Sequence, residues 1–151
     1  MYNIAVKQYG ICAPFILSVG HLLGFRKVVE LIEAFGILRR ESNYRALQLV
    51  IVGEEQFPGY LKRILNAIHK NGLQNSVSLL GQIPHAHVVS LMQECMIFVF
   101  PSTCENCPTS LIEAMSLRVP VACSCFPPMP EIAGDAVLYF NPLDPFDIAR
   151  C

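Results

Sequence analysis

The stretch FILSVGHLLGFRKVVELIEAFGILRRESNYRALQLVIVG, residues 15–53, contains two short apolar runs separated by a segment of helical period. Residues 15–20 and 47–53 show little polar alternation, which is typical of strands buried on both faces. Between them, residues 28–39 carry apolar side chains at three- and four-residue spacing and end in basic residues, which predicts an amphipathic helix. The stretch therefore predicts a strand, a helix and a second strand.

The same alternation continues along the rest of the chain. Further strands are predicted at residues 77–81, 96–101, 119–123 and 136–140, and further helices at 60–71, 85–94 and 109–117, with a last helix opened by DPFDIAR. Strands that alternate with helices form a parallel sheet with helices on both faces, joined by right-handed crossovers. We therefore expect an α/β, Rossmann-like, doubly wound parallel sheet of about six strands.

Composition limits the class of protein. Of the 151 residues, 53% are hydrophobic and only 15% are charged, which excludes a disordered chain and a highly charged coiled coil. The 11 Lys and Arg against 12 Asp and Glu give a net charge of −1, which disfavours nucleic-acid binding. We expect a single domain over residues 1–151, with residues 1–14 as a connecting segment.

The apolar runs and the cysteines indicate the cellular location of the protein. No apolar run approaches the roughly 20 residues of a membrane span, and the N-terminus has no apolar signal core. The seven cysteines are an odd number, and in the cytoplasm they would stay reduced. We therefore expect a cytoplasmic protein with no disulfide framework and no transmembrane segment.

Two loops are the candidates for a binding site. In the common doubly wound order the first and fourth strands are neighbours, and ligands bind in the crevice beyond their carboxyl ends. The loops that follow these strands are residues 20–27 and 102–110. We therefore searched both loops for groups that bind or react.

The first loop, GHLLGFRK, does not fit the dinucleotide-binding fingerprint. That fingerprint needs three glycines in the spacing G-x-G-x-x-G, but Gly20 and Gly24 are four apart and Leu22 is bulky. A nicotinamide- or flavin-dependent oxidoreductase is therefore disfavoured. The loop instead carries His21, Arg26 and Lys27, which either hold an anion or form a solvated basic turn.

The second loop places two carboxylates around a helix start. Glu105 lies in the loop and Glu113 eight residues later, in the second turn of the predicted helix, so both can face one crevice. Thr109 and Ser110, just after Pro108, open the helix, where free backbone N–H groups can bind an anion such as a diphosphate. The alternative is a loop-tip charge and an ordinary surface residue of an amphipathic helix.

A family resemblance rests on these residues. The run PSTCENCPTSLIEAMSLRVPVA (101–122), with SVG and LVIVG before it and PEIAGDAVLYFNPLDP after it, resembles the C-terminal half of retaining group 1 glycosyltransferases of the GT-B fold. The two glutamates match that family's motif of two glutamates separated by seven residues. The resemblance covers the chain from about Phe15 onward.

The resemblance implies a site for a UDP- or GDP-sugar donor. Glu105 is implied to contact the sugar beside the reacting carbon, Glu113 the ribose, and Arg26 the diphosphate leaving group, with Glu105 and Arg26 as the catalytic residues and no metal or other cofactor. Charge develops on that leaving group as the glycosidic bond breaks, so a cation stabilises it. The rest of the implied donor site consists of His21 near the diphosphate, Gln82 and Ile83 near the base, and Asn106, Cys107, Pro108, Thr109, Ser110 and Leu111 around the sugar and phosphates.

Four positions depart from the family pattern. Arg26 stands where the family has a lysine, and it keeps a permanent charge. His21 stands where the family has an arginine, and an imidazole is largely neutral near pH 7 whereas a guanidinium keeps its charge. Lys27 and Arg118 stand where the family has glycines. A left-handed backbone at Arg118, at the end of its helix, would be strained by roughly 1 kcal/mol.

The resemblance also implies a half-enzyme. In GT-B transferases an N-terminal domain holds the acceptor, and we expect that domain and the closing C-terminal helices to be absent from these 151 residues. We therefore expect an inactive chain that can self-associate, with a non-catalytic, truncated or diverged binding module as the alternative. A zinc site of Cys104, Cys107, Cys123 and Cys125 is disfavoured, because the second pair has only one residue between its members.

Overall fold

The computed structural model describes residues 4–12 and 14–151. Six strands form one sheet in the order β3-β2-β1-β4-β5-β6, and every paired neighbour is parallel. The strands are β1 (Phe15–Val19), β2 (Gln48–Val52), β3 (Val77–Leu79), β4 (Ile97–Phe100), β5 (Val121–Ser124) and β6 (Leu138–Phe140). The predicted doubly wound α/β fold is confirmed.

Helices cover both faces of the sheet. They are α1 (Ile4–Gln8), α2 (Val28–Leu38), α3 (Tyr60–Lys70), α4 (His85–Glu94), α5 (Thr109–Ser116), α6 (Met129–Ala133) and α7 (Pro145–Arg150), with 3₁₀ turns at Gly24–Arg26 and Ser42–Tyr44. The sequence pattern predicts α2 to α5 and α7 to within one residue at most ends. It predicts neither α1 nor α6, because five residues are too few to show a helical period.

The core lies in two layers, one on each side of the sheet. Because successive side chains of a strand point to opposite faces, β4 sends Phe98 and Phe100 to one layer and Ile97 and Val99 to the other. Helices α1, α4, α5 and α6 cover the first layer, and α2, α3 and α7 cover the second. Burial on both faces explains why the strands read as continuous apolar runs.

The strand order places β1 between β2 and β4 at the centre of the sheet. The order in which the chain crosses the sheet reverses there, which is where doubly wound folds have a crevice beyond the carboxyl ends of their strands. Next to it the loops after β1 and β2 touch, because the Gly20 N–H donates to the Val52 carbonyl over 2.9 Å. A Cβ atom at Gly53, whose φ is +144°, would overlap the Gly20 carbonyl oxygen, so this approach requires glycine.

Helix α5 ends on a residue in left-handed conformation. Arg118 has a φ of +58°, and its N–H donates to the Met115 carbonyl while that of Val119 donates to Ala114. This is the Schellman pattern, which glycine ordinarily completes. Gly72 does so after α3, with a φ of +66°.

Over residues 4–12 and 14–151, no helix combines the length and apolar character that crossing a membrane requires.

Candidate functional site

An open cleft of about 390 Å³ lies beyond the carboxyl ends of β1, β2 and β3 and the start of α5. Its lining combines two histidines, an arginine, two glutamates and several small or apolar residues. The lining residues are Val19, Gly20, His21, Arg26, Val52, Gly53, Glu54, Gln82, Ile83, His85, Val88, Thr109, Ser110 and Glu113. The cleft is therefore at the switch point that the fold predicts, and its lining mixes apolar side chains with charged and hydrogen-bonding ones.

Arg26 ends the 3₁₀ turn after β1 and projects into this cleft. Its Nη1 lies 3.0 Å from Oε1 of Glu105, and the guanidinium packs 5.4 Å from the centre of the Phe100 ring. The side chains are 19% and 6% exposed, so the ion pair is largely removed from water. Burial lowers the pKa of Arg26, and the neighbouring Glu105 carboxylate opposes that shift.

This ion pair leaves polar atoms without hydrogen bonds. The approach of Arg26 to Glu105 is close but lacks hydrogen-bond alignment. Arg26 Nε and Glu105 Oε1 are both buried and have no hydrogen-bond partner among the described residues. Buried polar groups are usually hydrogen-bonded, so these two atoms are exceptions. Glu105 does not itself line the cleft; it reaches the cleft through Arg26.

Hydrogen bonds hold the two loops against each other. Thr103, in the loop after β4, donates from both its N–H and its hydroxyl to the Phe25 carbonyl in the turn after β1, over 2.8 and 3.1 Å. The Ser110 hydroxyl donates to the carbonyl of Val19, the last residue of β1. These contacts fix the position of Arg26 relative to the start of α5.

The first turn of α5 offers free amides to the cleft. The N–H of Thr109 donates to the Cys107 carbonyl, whereas those of Ser110 and Leu111 meet no backbone acceptor in the described chain. Amides in the first turn of a helix have no intrahelical acceptor, and together with the helix dipole they attract anions. The start of α5 can therefore bind a phosphate.

The residues predicted to bind the donor in the second loop differ in whether they reach the cleft. Pro108 is buried and, as a proline, has no N–H to donate, so it limits the helix start rather than binding an anion. The Leu111 side chain is fully buried in the core, which leaves only its backbone near the cleft. Asn106 and Cys107 are exposed in the loop and do not line the cleft.

Glu113 projects from the second turn of α5 into the cleft and meets a side chain from another helix. Its Oε1 lies 2.8 Å from Nε2 of His85, the first residue of α4. Both side chains remain accessible, at 40% and 70% exposure. Sequence reasoning identified Glu113 but not His85, because only the packing of α4 beside α5 reveals this contact.

The cysteines do not form a metal centre in the part of the chain that the structure describes. Cys104 and Cys107 are exposed in the loop, whereas Cys123 is buried within β5. Among these residues no three His, Cys, Asp or Glu side chains converge as metal ligands do. The seven cysteines are unpaired thiols.

Comparison with known proteins identifies the family. Residues 8–150 match the family of glycosyl transferases group 1. The chain belongs to this family. The match spans both loops of the cleft, Arg26 and the two glutamates, and it agrees with the resemblance seen in the sequence.

Relatives and solved structures of group 1 and related transferases extend the comparison. The O-antigen chain mannosyltransferase B of Escherichia coli is 29% identical over 144 residues, which are 95% of this chain and 35% of that protein. A glycosyltransferase from Rickettsia africae ESF-5 superimposes with a TM-score of 0.85 at 18% identity, over 96% of this chain and 38% of the other. Anabaena HepE, solved in complex with UDP-glucose, gives a TM-score of 0.82 at 22% identity over 96% of this chain and 40% of HepE.

The two structural comparisons show a common fold. This group 1 domain spans about a third of the length of the mannosyltransferase that it matches.

Three of the four departures from the group 1 pattern lie on the cleft or next to it, whereas Arg118 lies beyond the other end of α5. His21 is exposed on the cleft, with Nδ1 3.1 Å from the amide nitrogen of Gln56. An imidazole lacks the permanent charge of the guanidinium that the family has at this position. Lys27, next to Arg26, has a left-handed φ of +52° and pairs with Glu30 over 3.1 Å. This domain therefore keeps one permanent cation on the cleft, Arg26, among the described residues.

Proposed function

We propose that the cleft binds a nucleotide-activated sugar, a UDP- or GDP-sugar, as the donor site of a retaining glycosyltransferase that transfers a hexose to an acceptor hydroxyl. The observation that carries the proposal is the convergence of Arg26, the free amides of α5 and Glu113 on one cleft in a group 1 domain. A cation and a helix N-terminus complement a diphosphate, and a carboxylate complements the hydroxyls of a ribose.

The diphosphate is placed between Arg26 and the start of α5. The amides of Ser110 and Leu111 and the guanidinium of Arg26 all donate hydrogen bonds, and a diphosphate accepts them. As the glycosidic bond breaks, negative charge grows on the leaving phosphate, and fixed donors stabilise that charge without reorganising. Arg26 thereby lowers the barrier to departure.

The two glutamates are assigned to different parts of the donor, Glu113 to the ribose and Glu105 to the transferred sugar. Glu113 lies on the accessible side of the cleft and accepts from ribose hydroxyls. Glu105 lies deeper, with Oε1 ion-paired to Arg26 but not hydrogen-bonded to it, and accepts from sugar hydroxyls beside the reacting carbon when the diphosphate engages Arg26. Gln82 and Ile83, at the end of the cleft beyond β3, are placed near the base.

A non-catalytic binding module is the second candidate. The exposed His21 in place of a family arginine favours it, because an imidazole lacks the permanent charge of a guanidinium and stabilises the leaving group less. Binding of a nicotinamide dinucleotide finds no support at the first loop. Leu22 is 3% exposed and fills the place where a dinucleotide phosphate needs glycine.

Calorimetric titration of the 151-residue chain tests the proposal and separates the candidates. The ligands are UDP, UDP-glucose, GDP, GDP-mannose and NAD, the mannose donor being included because a relative is a mannosyltransferase. Binding of a nucleoside diphosphate and its sugar derivative supports the donor site. Binding of NAD alone, or of none of the ligands, contradicts it.

Substitution of each glutamate tests their assignment. Glu113→Ala should weaken UDP and UDP-sugar alike by about 1.5–3 kcal/mol, the value of a charge-assisted hydrogen bond. Glu105→Ala should weaken only the sugar-bearing donor. Glu94→Ala, an exposed glutamate at the end of α4, is the matched control and should change neither. Equal losses for UDP and UDP-sugar in both cleft variants would overturn the assignment.

We also propose that donor binding requires no metal and that the protein is cytoplasmic. If Arg26 and α5 suffice for the diphosphate, EDTA leaves donor affinity unchanged. A fall in affinity that added Mg²⁺ or Mn²⁺ restores would show that a cation bridges the diphosphate.

A further inference from the structure

His85 joins the wall of α4 to the carboxylate of Glu113. It is the first residue of α4, and its ring meets the cleft opposite the second turn of α5. The distance of 2.8 Å between Nε2 and Oε1 is that of a strong hydrogen bond. An ionised carboxylate only accepts, so Nε2 of His85 donates the proton.

This contact restrains a side chain that would otherwise be mobile. The Glu113 side chain is 40% exposed and extends into open cleft, and a long side chain there occupies several rotamers. In the described chain, no side chain other than His85 bonds its carboxylate. We propose that His85 is a positioning residue, which holds the Glu113 carboxylate in the orientation that receives the ribose of the donor nucleotide.

The contact leaves Glu113 free to bind a ligand. Each carboxylate has two oxygens and about four acceptor positions, and His85 occupies one position on Oε1. Oε2 and the second lone pair of Oε1 remain for two ribose hydroxyls. Ordering an acceptor before the ligand arrives reduces the entropy lost on binding, so the restraint increases affinity.

His87 provides a matched control on the same helix. Its Nδ1 lies 2.7 Å from the Tyr9 hydroxyl, beside α1, and it does not line the cleft. Two residues along a helix point to different faces, so the two histidines have separate partners although they are close in sequence. His87→Ala removes an imidazole from α4 and leaves the wall of the cleft intact.

A double-mutant cycle on nucleotide affinity tests the inference, which rests on the proposed function. The dissociation constant of UDP, or of GDP if only GDP binds, is measured by NMR titration for wild type, His85→Ala, Glu113→Ala and the double variant. Positioning predicts that His85→Ala weakens wild type by about threefold to tenfold but has no effect once Glu113 is removed. His85→Gln, whose amide can donate to the carboxylate, should recover part of the affinity, and His87→Ala should match wild type.

Other outcomes would overturn the inference. Equal weakening by His85→Ala in both backgrounds would mean that His85 contacts the ligand itself. Tighter binding by His85→Ala would mean that the imidazole competes with the ribose for Glu113. If wild type binds neither UDP nor GDP, the proposed function fails and the inference fails with it. If the chain binds UDP but the effects of His85→Ala and Glu113→Ala simply add, only the inference is overturned.

Discussion

At the scale of single residues, the end of α5 carries strain that a substitution can remove. Arg118 has a φ of +58° at a position where glycine has no steric cost. We expect Arg118→Gly to raise the free energy of unfolding by about 1 kcal/mol, as measured by urea denaturation.

Two other substitutions isolate the backbone as the cause. Arg118→Ala keeps a Cβ atom in the left-handed region and should show no gain. Gly72→Ala introduces the same strain at the end of α3, where φ is +66°, and should cost about 1 kcal/mol. A stability for Arg118→Gly at or below that of wild type would contradict the strain.

The buried ion pair of the site makes a second residue-scale prediction. Arg26→Ala leaves the Glu105 carboxylate, whose side chain is 6% exposed, without its cation. An uncompensated buried charge is costly, so we expect a loss of about 3 kcal/mol in urea denaturation near pH 7. Adding Glu105→Gln should restore much of that loss, because the amide carries no charge. Equal stabilities for Arg26→Ala and the double variant would show that Glu105 is already stable without Arg26.

How far single residues were predictable depends on whether their contacts are local. Glu105 and Glu113 could be found because they flank a helix start within one motif of the chain. His85 could not, because its partner lies 28 residues away and is brought near only by the crossing of α4 and α5. The buried contact of Glu105 with Arg26 was likewise set by tertiary packing, which turned an expected open carboxylate into an ion-paired one.

At the scale of elements, long periodic segments were predictable and short ones were not. Strands such as β4 are apolar on both faces, and α3 has an apolar stripe over 11 residues, so each pattern is clear. Helix α1 depends on contacts with α4, including Val6 at 1% exposure, rather than on its own five-residue pattern. Helix α6 was obscured by the prolines at residues 127, 128 and 130, which predict a turn.

Helix α7 provides an element-scale prediction on pH. Asp147 accepts from the Asn141 N–H and from Arg150, over 2.7 and 2.6 Å. These bonds, the first more than the second, lower the pKa of Asp147 below its ordinary value. A lowered folded-state pKa means that its contribution to stability is present above the unfolded-state pKa, about 4, and is lost as pH falls through the folded value.

Comparison with Asp147→Asn measures that contribution. The difference in free energy of unfolding between wild type and Asp147→Asn should be constant above about pH 5 and shrink as pH falls below about 4. The Asn141 amide proton shift should change over the same range in wild type only. A difference that does not depend on pH would contradict the role of the carboxylate.

At the scale of the whole molecule, the cysteine thiols are either buried or exposed. Burial raises the pKa of Cys95 and of Cys123 to about 12, so both are protonated and inaccessible near pH 8. Cys104 and Cys107 are exposed on the loop after β4. Mass spectrometry after iodoacetamide treatment of the folded chain should find the loop pair modified and the buried pair intact. Modification of Cys123 at the rate of Cys104 would show that β5 opens readily.

Glycosyl transfer requires a bound acceptor in addition to the donor that we propose for the cleft. An acceptor held in the correct orientation contributes roughly 7–11 kcal/mol in favourable cases, and by family resemblance an opposing domain holds it. We expect the 151-residue chain alone to show no transfer in a radiolabelled-sugar assay with mixed acceptors. Turnover above that of Glu105→Ala would show that these residues also hold an acceptor.

The most direct test of the proposed donor site is an amide NMR map of the chain titrated with UDP and with GDP. We predict saturable shifts for at least one nucleotide at Gly20, Ile83, Ser110 and Leu111, the backbone around the cleft, and none at residues 135–138 on the opposite edge of the sheet. Shifts centred away from the cleft, or no shifts with either nucleotide at millimolar concentration, would contradict the claim that this cleft binds a nucleoside diphosphate.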